Sequence, residues 1–225
     1  MTTTKVRHGI ESLQEPGREC ALCSRLVAYR EELRALHPDW HNAPVLDFGP
    51  VDASLIVVGL APGHKGGNRT GIPFFGDFSG EMLNGALTAS GFAAYKNEAE
   101  PELGIEPIDV RITNVVKCMP PKNAPKPAEI RMCREFFLDS LLVSDTTRVV
   151  VAVGRTAHEE LLKAFELRLR DYPFAHACEI QLTPSLRMFS SFHCSQYNVN
   201  TRRITAEEFT SVFLRVQDYL KSLQI

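Results

Sequence analysis

The sequence has no apolar run approaching the roughly 20 residues that span a bilayer, so no membrane helix is expected. Its start, MTTTKVRHGIESLQEPG, has no apolar stretch of signal-peptide type, and a cytoplasmic protein is expected. Excess charge is missing too. The 25 Lys and Arg stand against 27 Asp and Glu, for a net charge of −2. Composition alone therefore does not announce a polyanion binder, and any surface for nucleic acid has to be a local patch. No G-K-[ST] follows the glycine-rich loop, and the dinucleotide fingerprint spacing is absent, which argues against the common nucleotide-binding loops. No internal repeat or low-complexity stretch is visible. What remains is 225 residues, 44% hydrophobic and 23% charged, enough for one core. A single domain over 1–225 is expected, with residues 1–19 loosely ordered.

Cysteine, by contrast, is present in six copies: Cys20, Cys23, Cys118, Cys133, Cys178 and Cys194. A cytosolic chain rarely uses disulfides, so a C-x2-C pair at Cys20 and Cys23 points to metal or redox chemistry. Cysteine also serves as a small buried apolar residue, and that reading suits Cys178 better than the pair.

Short β-branched runs alternate with helical patterns. SRLVAYREELRALHP has helical spacing, with Leu26, Val27, Tyr29, Leu33 and Leu36 toward one side, and Pro38 stops it. SLIVVGL (54–60), DVRITNVV (109–116), TRVVVAVG (147–154) and RMFSSFH (187–193) read as strands. Helices are expected in SGEMLNGALTASGF, AEIRMCREFFLDSLL, RTAHEELLKAF and AEEFTSVFLRVQDYLKSL. Ser79 could cap the first of these and Gly91 could end it. This order predicts a three-layer α/β/α sandwich around a mainly parallel sheet. Ligands of such sheets bind beyond the carboxyl ends of the strands, where the loops 61–77, 117–127 and 193–203 would lie. If the fold gathers them, Lys65, Arg69, Lys117, Lys122, Lys126, Arg202 and Arg203 would make a basic patch. Scattered on a solvated surface, they would mean nothing.

At the first loop a resemblance becomes specific. GLAPGHKGGNRTGIPFFGD resembles the first active-site motif of type 5 uracil-DNA glycosylases, and SSFHCSQYNVNTRRIT resembles their last. ITNVVKCMPPKNAPKP is similar to the segment between them. The motifs occur in the family's order and the resemblance covers nearly the whole chain. It implies a DNA-repair enzyme that hydrolyses the N-glycosidic bond of uracil, and of other deaminated bases such as hypoxanthine. It also implies a 4Fe–4S cluster on Cys20, Cys23, Cys118 and Cys133. Spacing alone leaves zinc open, since four thiolates suit either.

The resemblance also implies roles. A base inside a duplex must be flipped into a pocket. Phe74 would stack on it, Gly59, Leu60 and Ala61 would lie beside it, and Asn114 or Asn123 would read its edge through an amide. Either asparagine could equally be a turn former. His193 matches the histidine that hydrogen-bonds the departing base, where charge develops only in the transition state. Leu60 stands where several related families place an acid or amide, a departure typical of type 5. Asp77 matches the aspartate proposed to hold the attacking water, with helix capping as its plain alternative. Lys65, Arg69, Lys122, Gln196, Tyr197, Asn198 and Arg202 would meet DNA. Val199 and Asn200 would lie beside the gap left by the base. Cys194 stands where the family usually has proline or a small apolar residue, and Tyr197 where it usually has arginine. The expected partner is DNA carrying a deaminated base, bound by a monomer. The competing readings are a non-catalytic, metal-stapled nucleic-acid-binding module and a nucleotide-binding or redox protein.

Overall fold

The computed structural model describes residues 14–223. Of the segment expected to be loose, residues 1–13 lie outside the described residues. Residues 15 and 19 are tied down: Glu15 accepts from the Asp47 amide at 3.2 Å, and Glu19 takes two hydrogen bonds of 2.8 Å from Arg34.

Four parallel strands form the sheet in the order β4 (Val110–Asn114), β1 (Leu55–Gly59), β5 (Val149–Val153), β7 (Leu186–Ser191). An antiparallel strand, β6 (Glu179–Thr183), closes the β7 edge. The three apolar runs β1, β4 and β5 are buried at every position, as expected of strands covered on both faces. Their side chains alternate between two cores. Leu55, Val57, Ile112, Val151 and Phe189 meet α3 (Phe78–Ala89) and α7 (Ala206–Ser222). Ile56, Val58, Val150 and Met188 meet α1 (Ser24–Leu36), α4 (Pro127–Leu142) and α5 (Arg155–Ala164). This is the predicted three-layer sandwich. Among the described residues no helix is long and apolar enough to cross a membrane.

Several local expectations change. The small hairpin of β2 (Ala93–Tyr95) and β3 (Ile105–Pro107), and the edge strand β6, carry too little apolar patterning to stand out in sequence. Leu36 is 71% exposed, and Arg30 takes the inward place between Leu26 and Leu33, because the buried stripe follows i, i+4, i+7. Asp77, not Ser79, caps α3: its Oδ1 accepts from the Gly80 amide at 3.0 Å. Two rim loops contain short helical turns, α2 (Gly67–Thr70) and α6 (Gln196–Asn200).

Candidate active site

The carboxyl ends of the parallel strands deliver the chemistry. Gly59 ends β1 and pairs with Asn114, the end of β4. A Cβ on Gly59 would lie 2.5 Å from Asn114 Oδ1 and 2.5 Å from the Phe74 ring. Only a residue without a side chain lets amide and ring converge there. Phe74 holds φ +52°, a conformation uncommon for an aromatic residue and a local strain of the kind found at binding sites. Across from it, the His193 ring lies 6.2 Å away at 29°. Asp77 approaches from the loop: its carboxylate fills the space above Gly63 and Gly66, where any side chain would collide with it. Phe74, Asn114, His193 and Asp77 thus share one rim.

The polar groups here are unequally satisfied. Both amide atoms of Asn114 are buried, and neither has a hydrogen-bond partner among the described residues. Native proteins rarely leave such groups unpaired, because desolvation without a partner costs about 1–3 kcal/mol. A ligand with a facing donor and acceptor would satisfy both atoms. Burial pushes the His193 imidazole below the ordinary histidine pKa, against the nearby Asp77 carboxylate, which pulls the other way. The ring is therefore neutral near pH 7 and retains one N–H to donate. Asp77 does two things at once. One oxygen caps α3, and the other faces the glycine loop.

The loop after β7 is more tightly built than its composition suggests. Cys194 is fully buried; its thiol donates to the Ser79 carbonyl at 3.4 Å, joining the His193 loop to the α3 amino terminus. Burial pushes that thiol up to about 12. Asn198, expected on DNA, donates its Nδ2 to the His193 carbonyl at 2.8 Å and so also holds the loop. Sequence offered no signal for either contact, since both join residues by three-dimensional packing.

Other expected site residues lie elsewhere. Lys117 is not a surface cation. It is 1% exposed, its ammonium paired with Asp47 and bonded to Thr113 Oγ1 at 2.6 Å. Burial alone would raise the Asp47 carboxyl, but Lys117 and the hydroxyls of Ser140 and Thr113 outweigh it and hold the pKa below the usual carboxylate range. Arg69 is exposed, yet its guanidinium staples the loop through the Lys65 and Gly76 carbonyls at 2.8 and 2.9 Å. Ala61 packs on the α4–α5 core rather than on Phe74. Asn123 is exposed on a left-handed turn at φ +53°, and Lys122 and Lys126 are exposed beside it. Lys65, Gln196, Tyr197, Arg202 and Arg203 are exposed, and Leu60 is half-buried.

The cysteines form a second centre. Cys20, Cys23, Cys118 and Cys133 line one pocket together with Leu26, Val116 and Phe136. Burial pushes Cys118 up to about 12 and Cys133 up to about 11, and raises Cys23 as well. Thiols raised in this way release their protons only to a strongly positive partner. Polar donors are ready for sulfur: the Lys117 amide reaches Cys133 Sγ at 3.3 Å, and buried Arg30 Nε has no hydrogen-bond partner among the described residues. Among the described residues, no three His, Cys, Asp or Glu are drawn together tightly enough to hold a metal ion. The thiols surround a space rather than a point. Cys178 and Cys194 are not part of this cavity.

Comparison with known proteins supplies the family. The profile of the Uracil DNA glycosylase superfamily matches residues 46–217. The chain is 40% identical over 204 residues to a type-5 uracil-DNA glycosylase of Thermus thermophilus, covering 88% of this chain and 92% of that relative. It is 38% identical over 200 residues to a type-5 uracil-DNA glycosylase of Pyrobaculum aerophilum, covering 87% of each. To a type-4 uracil-DNA glycosylase of Thermotoga maritima it is 32% identical over 149 residues, 66% of this chain and 63% of the relative.

Proposed function

The chain belongs to the uracil-DNA glycosylase superfamily, and on that premise we propose the following reading of its rim site. The protein is a DNA-repair hydrolase that releases uracil from DNA. The observation that carries the site assignment is the Asn114 amide: buried, unpartnered and level with Phe74 across Gly59. Uracil presents an N–H donor flanked by carbonyl acceptors, which an amide matches on both of its atoms. Phe74 offers the stacking face.

Hydrolysis breaks the bond from the sugar C1′ to the base nitrogen and forms a bond from C1′ to water oxygen. The electron pair leaves with the base. Neutral His193 donates a hydrogen bond to the base oxygen where that charge collects. The free oxygen of Asp77 holds the water; after attack the water's proton passes by way of that carboxylate to solvent, and the base anion takes up a proton from solvent. Leu60 supplies no second acid or amide, so leaving-group stabilisation dominates. A pocket that reads the base mainly through one amide and one ring tolerates other deaminated bases, and hypoxanthine is the first to try.

Cys20, Cys23, Cys118 and Cys133 suit a 4Fe–4S cluster, with zinc the second choice. Four thiolates by themselves suit either metal, and the resemblance to type 5 enzymes favours the cluster. Such a cluster supplies metal–sulfur bonds that staple the amino-terminal segment to α4. A monomer acting in the cytoplasm completes the reading.

The test is base release from a duplex with one uracil, followed by alkali, for wild type and His193→Ala. Strand cleavage by wild type and a rate at least about 100-fold lower in the variant are expected. Intact strands with wild type across pH and salt would sink the reading.

A further inference from the structure

Two arginines, Arg203 of the expected basic patch and Arg155 outside it, frame the catalytic histidine. Gly154, at the end of β5, lies 3.5 Å from His193 Cβ, measured from the position its own Cβ would take. The next residue, Arg155, is 64% exposed in its side chain and stacks its guanidinium over the Phe174 ring at 5.0 Å. Phe174 meets Phe192 edge-on at 5.7 Å. Over Phe192 sits the guanidinium of Arg203 at 5.1 Å. Phe192 immediately precedes His193. The result is a continuous row of guanidinium, ring, ring and guanidinium whose anchors touch the histidine loop at both ends.

Such stacking does two things. It holds a long, rotamer-rich side chain in place, and it uses only the guanidinium face, so the N–H edge stays free. A free guanidinium edge matches phosphate oxygens with two parallel hydrogen bonds. Local acids do little to neutralise the pair. Glu159 reaches Arg155 only at 4.0 Å, an exposed contact of small worth. Among the described residues Arg203 has no ion pair. His176 stacks on Phe192 at 5.4 Å; Glu208 and Arg215 act on it with opposite sign. The α5 amino terminus adds positive character, for no side chain caps it.

We propose that Arg155 and Arg203, held on Phe174 and Phe192, grip the phosphodiester backbone beside the extruded nucleotide. This rests on the uracil-release reading for the identity of the polymer, DNA. The exposed cations Lys65, Lys122 and Lys126 on the loops 61–77 and 117–127 would then add further backbone contacts.

The test is equilibrium binding of a labelled duplex carrying a stable abasic-site analogue, over a range of salt concentrations. It compares wild type, Arg155→Ala, Arg203→Ala, the double variant and Phe174→Leu. Each arginine variant is expected to weaken binding about threefold or more at low salt. Each should also flatten the plot of log K against log salt by about 0.9. Phe174→Leu keeps both charges, so it should weaken binding with little change in slope. In turnover, most of the loss should fall in KM rather than kcat. A double variant with wild-type affinity and slope overturns the proposal. Uracil release by wild type is measured on the same duplex with uracil restored. If wild type releases uracil and the double variant still binds normally, the arginine surface is wrong and the enzyme reading stands. If wild type releases none while the arginine variants bind poorly, the surface stands and the enzyme reading falls.

Discussion

Asn114 and Lys117 lie three residues apart, both buried and both polar, yet they have opposite fates. Lys117 turns into the protein and finds Asp47, Thr113 and Ser140. Every strong donor it has is answered, and Arg111 completes the group by pairing with Asp47 at 3.2 Å. Asn114 finds nothing on either amide atom. The first arrangement belongs to the architecture, and the second waits for a ligand. Burial by itself therefore does not mark a site. Burial without a partner does, since an isolated fold gains nothing from an unanswered amide.

The largest expected effect separates the two by stability. Lys117→Met leaves the Asp47 carboxylate buried beside Arg111 alone. Breaking such a pair costs about 3–5 kcal/mol, or about 10 °C in the unfolding midpoint for a chain of this length. Thermal unfolding measures it. Uracil release well below that midpoint should persist, because Lys117 faces away from the rim. An activity loss without a stability loss would reverse the assignment. Asn114→Ala should do the converse. Its rate of uracil release should fall about 100-fold, while stability stays within about 1 kcal/mol of wild type. Loss of both together would make Asn114 a structural residue and blunt the contrast.

The smallest expected effect concerns charge at the rim. Asn caps helices about as well as Asp, so Asp77→Asn should cost only a few tenths of a kcal/mol. It removes the carboxylate that holds the His193 pKa up, and His193 should titrate lower still by imidazole NMR. In the wild-type protein His193 already titrates below its unfolded value of about 6.5. Its neutral form is thus favoured by folding. That contribution is fully present above about pH 6.5 and is lost as the pH falls further, because the unfolded chain then takes up a proton that the folded one resists. Unfolding measured from pH 7.5 down to 5 should show a decline that His193→Gln removes.

Much of this was legible before any fold was known. The runs LIVVG and VVVAV read as strands covered on both faces and VRITN as a strand, and the structure buries every residue of each. Phe74, Asp77 and His193 stood out through their motifs. Lys117 misled because a charged residue in a polar loop looks the same in sequence whether it faces water or a buried acid. Asn198 and Cys194 were read as DNA-facing or anomalous, and both hold the histidine loop. Arg155 and Arg203 gave no joint signal, since they lie 48 positions apart and only folding brings the rings beneath them together.

What the chain's own order of residues determined is the layer plan, the strand ends that carry Gly59 and Asn114, and the close pair Cys20 and Cys23. These follow from periodicity and local chemistry, which act between near neighbours in sequence. Tertiary structure alone decided which polar groups would be answered. Whether a buried amide, ammonium or guanidinium meets a partner depends on groups brought close by folding from distant parts of the chain, and no local pattern encodes that meeting.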